Sequence, residues 1–420
     1  MMTGVLLAVI YFAFVSLGLP DGLLGAAWPT MGPALGVPVS WAGGISTVIS
    51  LGTIVSALMS DRMTLRFGVG RVTACSVATT AVALMGFSWS SAYWMLLVCA
   101  VPYGLGAGGV DAALNNYVAV HYASRHMSWL HCMWGVGASV GPYVMSLALT
   151  DGHGWPWGYR AIGVIQMVLT AVLLCTLPLW RGRVVLAPGA QHEEDTRKAG
   201  DAPEGTASTT ARGRAQSRGA HPMGLAQVMA IRGVAPTIAM FFCYCALETT
   251  TGLWAGSYMV QQRGVDRAVA AAWVALFFVG ITVGRAVGGL LTLWCDDPTM
   301  IRLGQAILGC GLLLMMIPAS QHGWTLAGLG LVGLGCAPIY PSIIHATPGY
   351  FGEERSQSIV GVQMAGAYTG SLIVPPVFGL IAQRVTLAWF PWCLLALLVV
   401  MVLLHERLRR TVGSGRRALS

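Results

Sequence analysis

The sequence predicts an all-α membrane protein in which twelve transmembrane helices form two pseudo-symmetric six-helix bundles. Three observations predict this fold class: the composition, the repeated apolar segments and a polar stretch in the middle of the chain. Hydrophobic residues make up 55% of the 420 residues and charged residues only 10%, whereas a soluble domain carries about 25% charged residues. The chain is therefore expected to cross a lipid bilayer several times.

Apolar segments of about 20 residues recur along the whole chain, and each can cross a hydrocarbon core about 30 Å thick as a helix. Spans of a β-barrel would be about ten residues long with strict alternation of polar and apolar residues, a pattern that this sequence lacks. The predicted helices lie near residues 5–33, 41–59, 72–90, 93–120, 128–150, 158–180, 233–261, 267–294, 300–319, 323–347, 357–382 and 385–405.

A polar stretch separates the first six helices from the last six. It is rich in Gly, Ala, Arg, Glu, Asp, Thr and Pro and holds almost no large apolar residue, a composition that predicts disorder. The expected domains are an N-terminal bundle at 1–181, a disordered cytoplasmic linker at 182–230, a C-terminal bundle at 231–406 and a basic cytoplasmic tail at 407–420.

The basic residues predict the orientation in the membrane, because Lys and Arg are retained on the cytoplasmic side. Most of them fall on the face that carries both termini, while Arg160, Arg263, Arg267 and Arg384 fall on the other face. Both termini are therefore expected in the cytoplasm and the protein in the inner or plasma membrane. This orientation explains the net charge of +8, so no nucleic-acid partner is expected, although the basic tail can touch anionic lipid.

The two halves of the sequence echo each other in their small residues. Small residues at four-residue spacing let helices approach closely, and glycine with proline lets them bend. Ordinary helix packing explains any single motif equally well, but recurrence at matching positions favours a repeat-built transporter with its site between the halves. The matching motifs are Gly137-x-x-x-Gly141-Pro142 with Gly366-x-x-x-Gly370 and Pro375-Pro376, and Gly104/Gly106/Gly108 with Gly330/Gly333/Gly335.

Three carboxyl groups fall inside predicted spans: Asp21, Asp111 and Glu248. Each would cost about 2.5–3.5 kcal/mol in ionised form, so each should face a polar cavity or be protonated. Such an acid is suited to exchange a proton, and these three are the expected proton-coupling residues. The alternative is that a protonated carboxyl bonds to a neighbouring backbone and fixes helix packing, which is less plausible for all three together.

Other polar and aromatic side chains near the acids predict a cavity for a polyhydroxylated solute. Asn115 follows Asp111 by one turn and Tyr244 precedes Glu248 by one turn, so each lies on the face of its acid. Trp28 follows Asp21 by two turns, and the amide of Gln363 needs a partner inside its span. Carboxylates and amides can bind pairs of hydroxyls, and aromatic rings can cover the apolar face of a sugar.

The remaining polar residues inside the spans allow more than one interpretation. Arg285 can be a counter-ion for an intramembrane acid or can extend toward the cytoplasmic interface, and the two readings are equally supported. His131 and His345 can relay protons or can simply be hydrogen-bonded. The ten cysteines show no CxxC pattern, so neither a zinc site nor a disulfide framework is expected. No metal or cofactor is expected, with protons as the coupling ion.

The segment between the second and third spans resembles the signature loop of the major facilitator superfamily, through Asp61-Arg62, Arg66-Phe67-Gly68 and Arg71. Ala57 stands where the first glycine of that signature is expected. The resemblance implies a gating role for Asp61 and Arg62. Arg285 is grouped with them as a gating or counter-ion residue because it lies well inside its own span.

A closer resemblance is to the fucose permease branch, through "LPDGLL" in the first span and "GGVDAALNNYVAV" in the fourth. This branch imports sugars with protons, so the resemblance implies roles for Asp21 and Asp111 in coupling and sugar binding. The family's fourth-span acid is typically Glu, whereas Asp111 is one methylene shorter. The identity of the sugar is therefore left open.

Together these observations predict a monomeric secondary active transporter that imports a sugar or related molecule with protons, by alternating access. The alternative is a proton-driven exporter of drugs or metabolites, because one fold serves both directions. An intramembrane enzyme is not expected, since no nucleophile with a base and no metal spacing is present. A solute sensor without transport would more often carry a structured signalling domain.

Overall fold

The computed structural model describes residues 2–122, 124–180, 225–292, 294–318 and 322–417. These residues form helices joined by loops and turns, without strands. Twelve segments are long and apolar enough to cross a membrane, which confirms the predicted spans to within a turn or two of helix at each end. The all-α fold class is confirmed as well.

The spans are numbered here from one to twelve in chain order. The helices of the first half are Met2–Gly18, Leu23–Ala34, Trp41–Phe67, Val69–Trp89, Tyr93–His121, Ser124–Thr150, Gly154–Cys175 and the short Leu177–Trp180. Those of the second half are the short Leu225–Ala230, then Val234–Arg263, Arg267–Leu291, Asp297–Met316, Gly323–Cys336, Ile339–Phe351, Glu353–Arg384, the 3-10 turn Leu387–Trp389 and Phe390–Arg417.

Two spans that the sequence predicts as continuous helices are broken. Span 1 is interrupted between Gly18 and Leu23, and span 10 between Cys336 and Ile339. Each break contains a proline, Pro20 in span 1 and Pro338 in span 10. Proline lacks the N–H that a helix interior requires and clashes with the preceding turn, so both breaks have a local cause.

The glycine motifs bring equivalent helices together in both halves. A methyl group added to Gly137 or Gly141 in span 5 would lie 1.9 Å from a backbone carbonyl oxygen of span 1. A methyl group added to Gly370 in span 11 would lie 2.4 Å from the carbonyl oxygen of Phe242 in span 7. Only glycine permits such an approach. Span 5 thus packs on span 1 as span 11 packs on span 7, which is the symmetry that the repeated motifs predict.

The end of the predicted linker and most of the predicted tail are helical. Residues 182–224 of the predicted linker lie outside the described residues, but Leu225–Ala230 is a helix. Val228 in this helix is fully buried against Val234 and Ile359, and this burial explains why the segment is ordered. The last helix also continues through Arg417, so most of the predicted tail is helical.

Candidate functional site

The two halves of the protein meet closely at one end of the bundle. We call the end that carries Met2 and Arg417 the terminal end, and the opposite end the far end. At the far end, a methyl group on Gly25 in span 1 would lie 2.0 Å from the carbonyl oxygen of Gly252 in span 7. Ser40, which lies just before span 2, also donates a hydrogen bond to Gln383 in span 11. Backbone thus packs on backbone across the interface.

Toward the terminal end, only some of the helices stay in contact. Spans 5 and 8 pack against each other along much of their length. Ser146 Oγ donates a hydrogen bond to the carbonyl oxygen of Ala268 at 2.7 Å, and Gly135, nearer the terminal end, lies beside Thr282. Within the described part of the chain, span 4 and the last helix of span 10 form no comparable interface. The halves are therefore joined at the far end and separated toward the terminal end.

A cavity of about 360 Å³ lies between the two halves. Residues of spans 1 to 6 line it from one side, and residues of spans 7, 8 and 11 from the other. Two carboxylates, Asp21 and Glu248, face it from opposite halves. The remaining polar and aromatic lining side chains are Ser46, Ser50, Thr53, Thr249, Ser371, Phe87, Tyr103, Trp134, Tyr159, Phe278 and Tyr368.

Asp21 lies in the turn that breaks span 1, and the break exposes its side chain to the cavity. Trp134 Nε1 in span 5 donates a hydrogen bond to Asp21 Oδ2 at 2.6 Å. The Tyr103 hydroxyl in span 4 lies 3.5 Å from Oδ1. Hydrogen bonds to an ionised acceptor are stronger than neutral ones, so these donors can hold the carboxylate in one orientation.

Arg285 of span 8 is partly exposed and lies at the interface with span 5 of the other half. Its guanidinium lies 4.8 Å from the centre of the Trp134 ring, and its Nη1 lies 3.4 Å from the carbonyl oxygen of His131. Trp134 therefore contacts Asp21 by its N–H and Arg285 by its ring, so that one side chain of span 5 joins groups from spans 1 and 8.

Asp111 and Asn115 do not line the cavity. Asn115 Nδ2 donates to Asp111 Oδ1 at 2.9 Å, one turn apart as the spacing predicts. Asp111 is partly exposed and lies in the second half of span 4, the half that leads to the terminal end. Asp111 thus lies on the terminal side of the cavity.

Three predicted substrate ligands are packed between helices instead of facing the cavity. Trp28 is buried, and its Nε1 donates to the carbonyl oxygen of Val39 at 2.8 Å. Gln363 is fully buried and exchanges hydrogen bonds with the Thr347 hydroxyl at 3.0 and 3.1 Å. Tyr244 is fully buried one turn from Glu248. Each was predicted from a position in its own helix, which does not reveal the neighbouring helix.

The predicted gating and relay residues lie toward the terminal end. The side chain of Asp61 is outside the described part of the structure, and Arg62 is exposed. His131 packs edge-on against the Phe14 ring, with centroids 6.0 Å apart. His345 is exposed and lies 2.8 Å from Asp297. Neither Arg62 nor the two histidines line the cavity.

The family model of the Major Facilitator Superfamily matches residues 10–199 and 236–418. The chain belongs to the Major Facilitator Superfamily. The protein is therefore a multi-pass membrane transporter and not an enzyme. This confirms the resemblance at the level of the superfamily, while the fucose permease branch stays a prediction.

Several known proteins resemble this superfamily member over most of its length. "Bypass of stop codon protein 6" of Saccharomyces cerevisiae is 23% identical, covering 94% of this chain and 81% of the relative. The glucose/mannose transporter GlcP of Bacillus subtilis is 20% identical, covering 86% and 84%. A crystal structure of a mutant peptide transporter POT in complex with sulfate aligns with a TM-score of 0.73 at 14% identity, covering 97% and 95%, which supports the fold.

Sequence reasoning missed most of the cavity lining of this transporter. One signal was available: Ser46, Ser50 and Thr53 follow each other at four- and three-residue spacing, so they form a hydroxyl stripe on one face of span 2. Trp134 had no such signal. Its role depends on contacts with span 1 and span 8, which are distant in sequence.

Proposed function

We propose that this transporter imports a sugar or a related polyhydroxylated small molecule together with protons, by alternating access. One observation carries the proposal: a single cavity between the halves holds a carboxylate from each half among hydroxyl and aromatic side chains. Its volume of about 360 Å³ falls in the range of small-molecule sites, about 300–1,000 Å³.

The lining suits a sugar better than a wholly apolar solute. Carboxylates accept hydrogen bonds from pairs of hydroxyls, and Ser and Thr hydroxyls both donate and accept. The stripe of Ser46, Ser50 and Thr53 faces the cavity from one half, and Thr249 and Ser371 face it from the other. The aromatic rings provide flat apolar surfaces for the C–H faces of a sugar ring.

Proton coupling follows in this proposal from the cost of charge at the centre of the membrane. A carboxylate at that depth costs about 2.5–3.5 kcal/mol, and Asp21 and Glu248 line the same cavity, where two negative charges repel each other. Protonation of one of them removes this repulsion and part of the cost, and so favours rearrangement of the halves. Asp111, on the terminal side, is placed to accept the proton as it leaves toward the cytoplasm.

The relative GlcP supports the substrate class, because its name describes a glucose/mannose transporter. The POT structure shares the fold and comes from a peptide transporter, so the fold alone does not select sugar. The polar lining described above is therefore the stronger support.

Uptake into proteoliposomes tests the proposal. Radiolabelled hexoses, pentoses and deoxysugars are presented with and without an inward proton gradient. We expect at least one sugar to accumulate only when the gradient is present. Glu248→Gln and Asp21→Asn are each expected to abolish accumulation, and Asp111→Asn to reduce it.

Asp151→Asn is the matched control, because Asp151 is an exposed loop residue at the far end and should leave accumulation unchanged. Counterflow exchange of sugar without a gradient distinguishes a coupling residue, whose variant still exchanges, from a binding residue, whose variant does not. Gradient-driven accumulation in the Glu248→Gln variant would contradict the coupling role.

A proton-driven exporter of apolar compounds is the second candidate. Leu24, Ile49 and Leu253 give the cavity apolar walls beside its polar groups. Cells that express the protein would then survive toxic dyes better than control cells, and would gain no growth on single sugars. Sugar-dependent growth without dye resistance would exclude this candidate.

A further inference from the structure

A second cleft lies at the terminal end, far from the central cavity. It has a volume of about 330 Å³ and is lined by Arg232, Leu403, Glu406, Arg407, Arg410 and Thr411. Arg232 stands just before span 7, and the other five residues belong to the last turns of span 12. Two helix ends of the second half thus enclose a small space with three arginines.

The charge in this cleft is strongly positive. Its one carboxylate, Glu406, is held in a two-pronged ion pair by Arg302, with distances of 2.8 and 2.7 Å. Arg302 does not line the cleft. No ion pair within 4.0 Å joins Arg232, Arg407 or Arg410 to an acid among the side chains that the structure describes. The three guanidinium groups are therefore available to an anion.

The cleft lies where the lipid-facing surface changes from apolar to basic. Val399 and Leu403 are exposed by 48% and 64%, and Arg407 follows on the same helix face at four-residue spacing. Each four-residue step along a helix rises about 6 Å. Within about one helical turn, apolar side chains that can contact lipid acyl chains are therefore followed by basic side chains that can bind phosphate.

We propose that this cleft binds the phosphate headgroup of an anionic phospholipid in the leaflet at the terminal end. Arginine presents a planar set of N–H donors that bind phosphate oxygens in pairs. Basic pockets between membrane helices on the cytoplasmic side are suited to such headgroups. Leu403 at the edge of the cleft provides a surface for the first part of the acyl chain, which a free phosphate ion would not use.

Native mass spectrometry of the full-length protein tests this site. The protein is released from detergent micelles that contain equal amounts of phosphatidylglycerol and phosphatidylcholine. We expect retention of phosphatidylglycerol over phosphatidylcholine. Each single variant, Arg232→Gln, Arg407→Gln or Arg410→Gln, should lower this preference roughly fivefold, as expected from the usual contribution of one basic residue near a membrane. The triple variant should show no preference.

The matched control changes three exposed arginines elsewhere at the terminal end, Arg66, Arg71 and Arg355, to Gln, and should keep the preference. The triple variant Arg232→Lys, Arg407→Lys and Arg410→Lys keeps the charge and should keep most of the preference for phosphatidylglycerol, which separates loss of charge from misfolding. Equal loss in both triple Gln variants would overturn the proposal.

Two further arms distinguish other occupants of the cleft. Inorganic phosphate at the concentration of the lipid should not displace phosphatidylglycerol; full displacement would mean that the cleft is a site for a free anion. The linker substitutions Glu193→Gln, Glu194→Gln and Asp195→Asn remove acidic groups from the full-length chain and should leave retention unchanged. Retention that occurs only after these substitutions would assign the cleft to the acidic linker and refute the lipid site.

Discussion

Replacement of Gly25 by alanine is expected to weaken the contact that joins the two halves at the far end. The new methyl carbon would lie 2.0 Å from the carbonyl oxygen of Gly252, and 3.1 Å from two further backbone atoms of span 7. Contacts of this kind are essentially never closer than 3.0 Å, so spans 1 and 7 must separate locally by about 1 Å. Backbone atoms cannot rotate away as a flexible side chain can.

Overpacking of this kind costs about 1–3 kcal/mol. This energy is lost only in the arrangement that is closed at the far end, so the ratio of closed to open molecules should fall roughly 5- to 150-fold. Gly256→Ala places its methyl 2.6 Å from the carbonyl oxygen of Gly25 and should have a smaller effect in the same direction. The ratio of closed to open molecules should therefore be lowest in Gly25→Ala, intermediate in Gly256→Ala and highest in the wild type.

Electron spin resonance measures this ratio through the distance between two labels at the far end. Non-natural amino acids at Ala34 and Val385, both exposed and in opposite halves, carry the labels without using the native cysteines. Gly361→Ala is the control, because nothing lies within 4 Å of the added methyl. If Gly25→Ala gives the same distance distribution as Gly361→Ala, the far-end contact does not hold the halves together and the reasoning is wrong.

Three further substitutions test other parts of the structure. Gln363→Ala should lower the free energy of unfolding by about 1–3 kcal/mol, since the buried Thr347 loses its amide partner. Sugar affinity in binding assays should stay the same, and a loss of affinity without a loss of stability would support the prediction that Gln363 binds the substrate. Arg302→Ala should change thermal stability by less than about 1 kcal/mol, because this ion pair with Glu406 is half exposed, so a large loss measured by unfolding would contradict the surface assignment. Hydrogen bonding by Thr299 holds the pKa of Asp296, which caps the span 9 helix, below its usual range. The stabilisation is therefore complete above the usual value of about 3.9 and is lost as pH falls through the lower pKa of the folded state, so the difference in unfolding midpoint between wild type and Asp296→Ala should shrink progressively as pH falls below about 3.9.

The spans and the repeat could be predicted from the sequence because the bilayer imposes strong local rules. A helix must be apolar over about 20 residues to cross it, and close helix contacts require small residues. For the same reason, Asp21 and Glu248 could be recognised as candidate site residues: an acid inside a span is costly and rarely accidental. Both line the central cavity.

The rest of the site could not be predicted because it depends on which helices face each other. Tyr244 shares a helix face with Glu248, yet its ring belongs to an aromatic cluster with Phe241 and with Tyr340 of span 10. Gln363 finds its partner in Thr347, on the preceding span. A rule about spacing within one helix gives the direction of a side chain but not its neighbour.

The break in span 1 places the carboxyl group of Asp21 in the turn between two helices. The segment Leu23–Ala34, whose Gly25 seals the far end, is connected to the rest of span 1 only through the four residues that include Asp21. Any event that alters the bonding of this carboxylate, such as the arrival of a proton or the loss of the hydrogen bond from Trp134, acts directly on the short turn that connects the two helices of span 1. The same four-residue turn therefore carries the acidic group that faces the cavity and connects the helix that closes the far end.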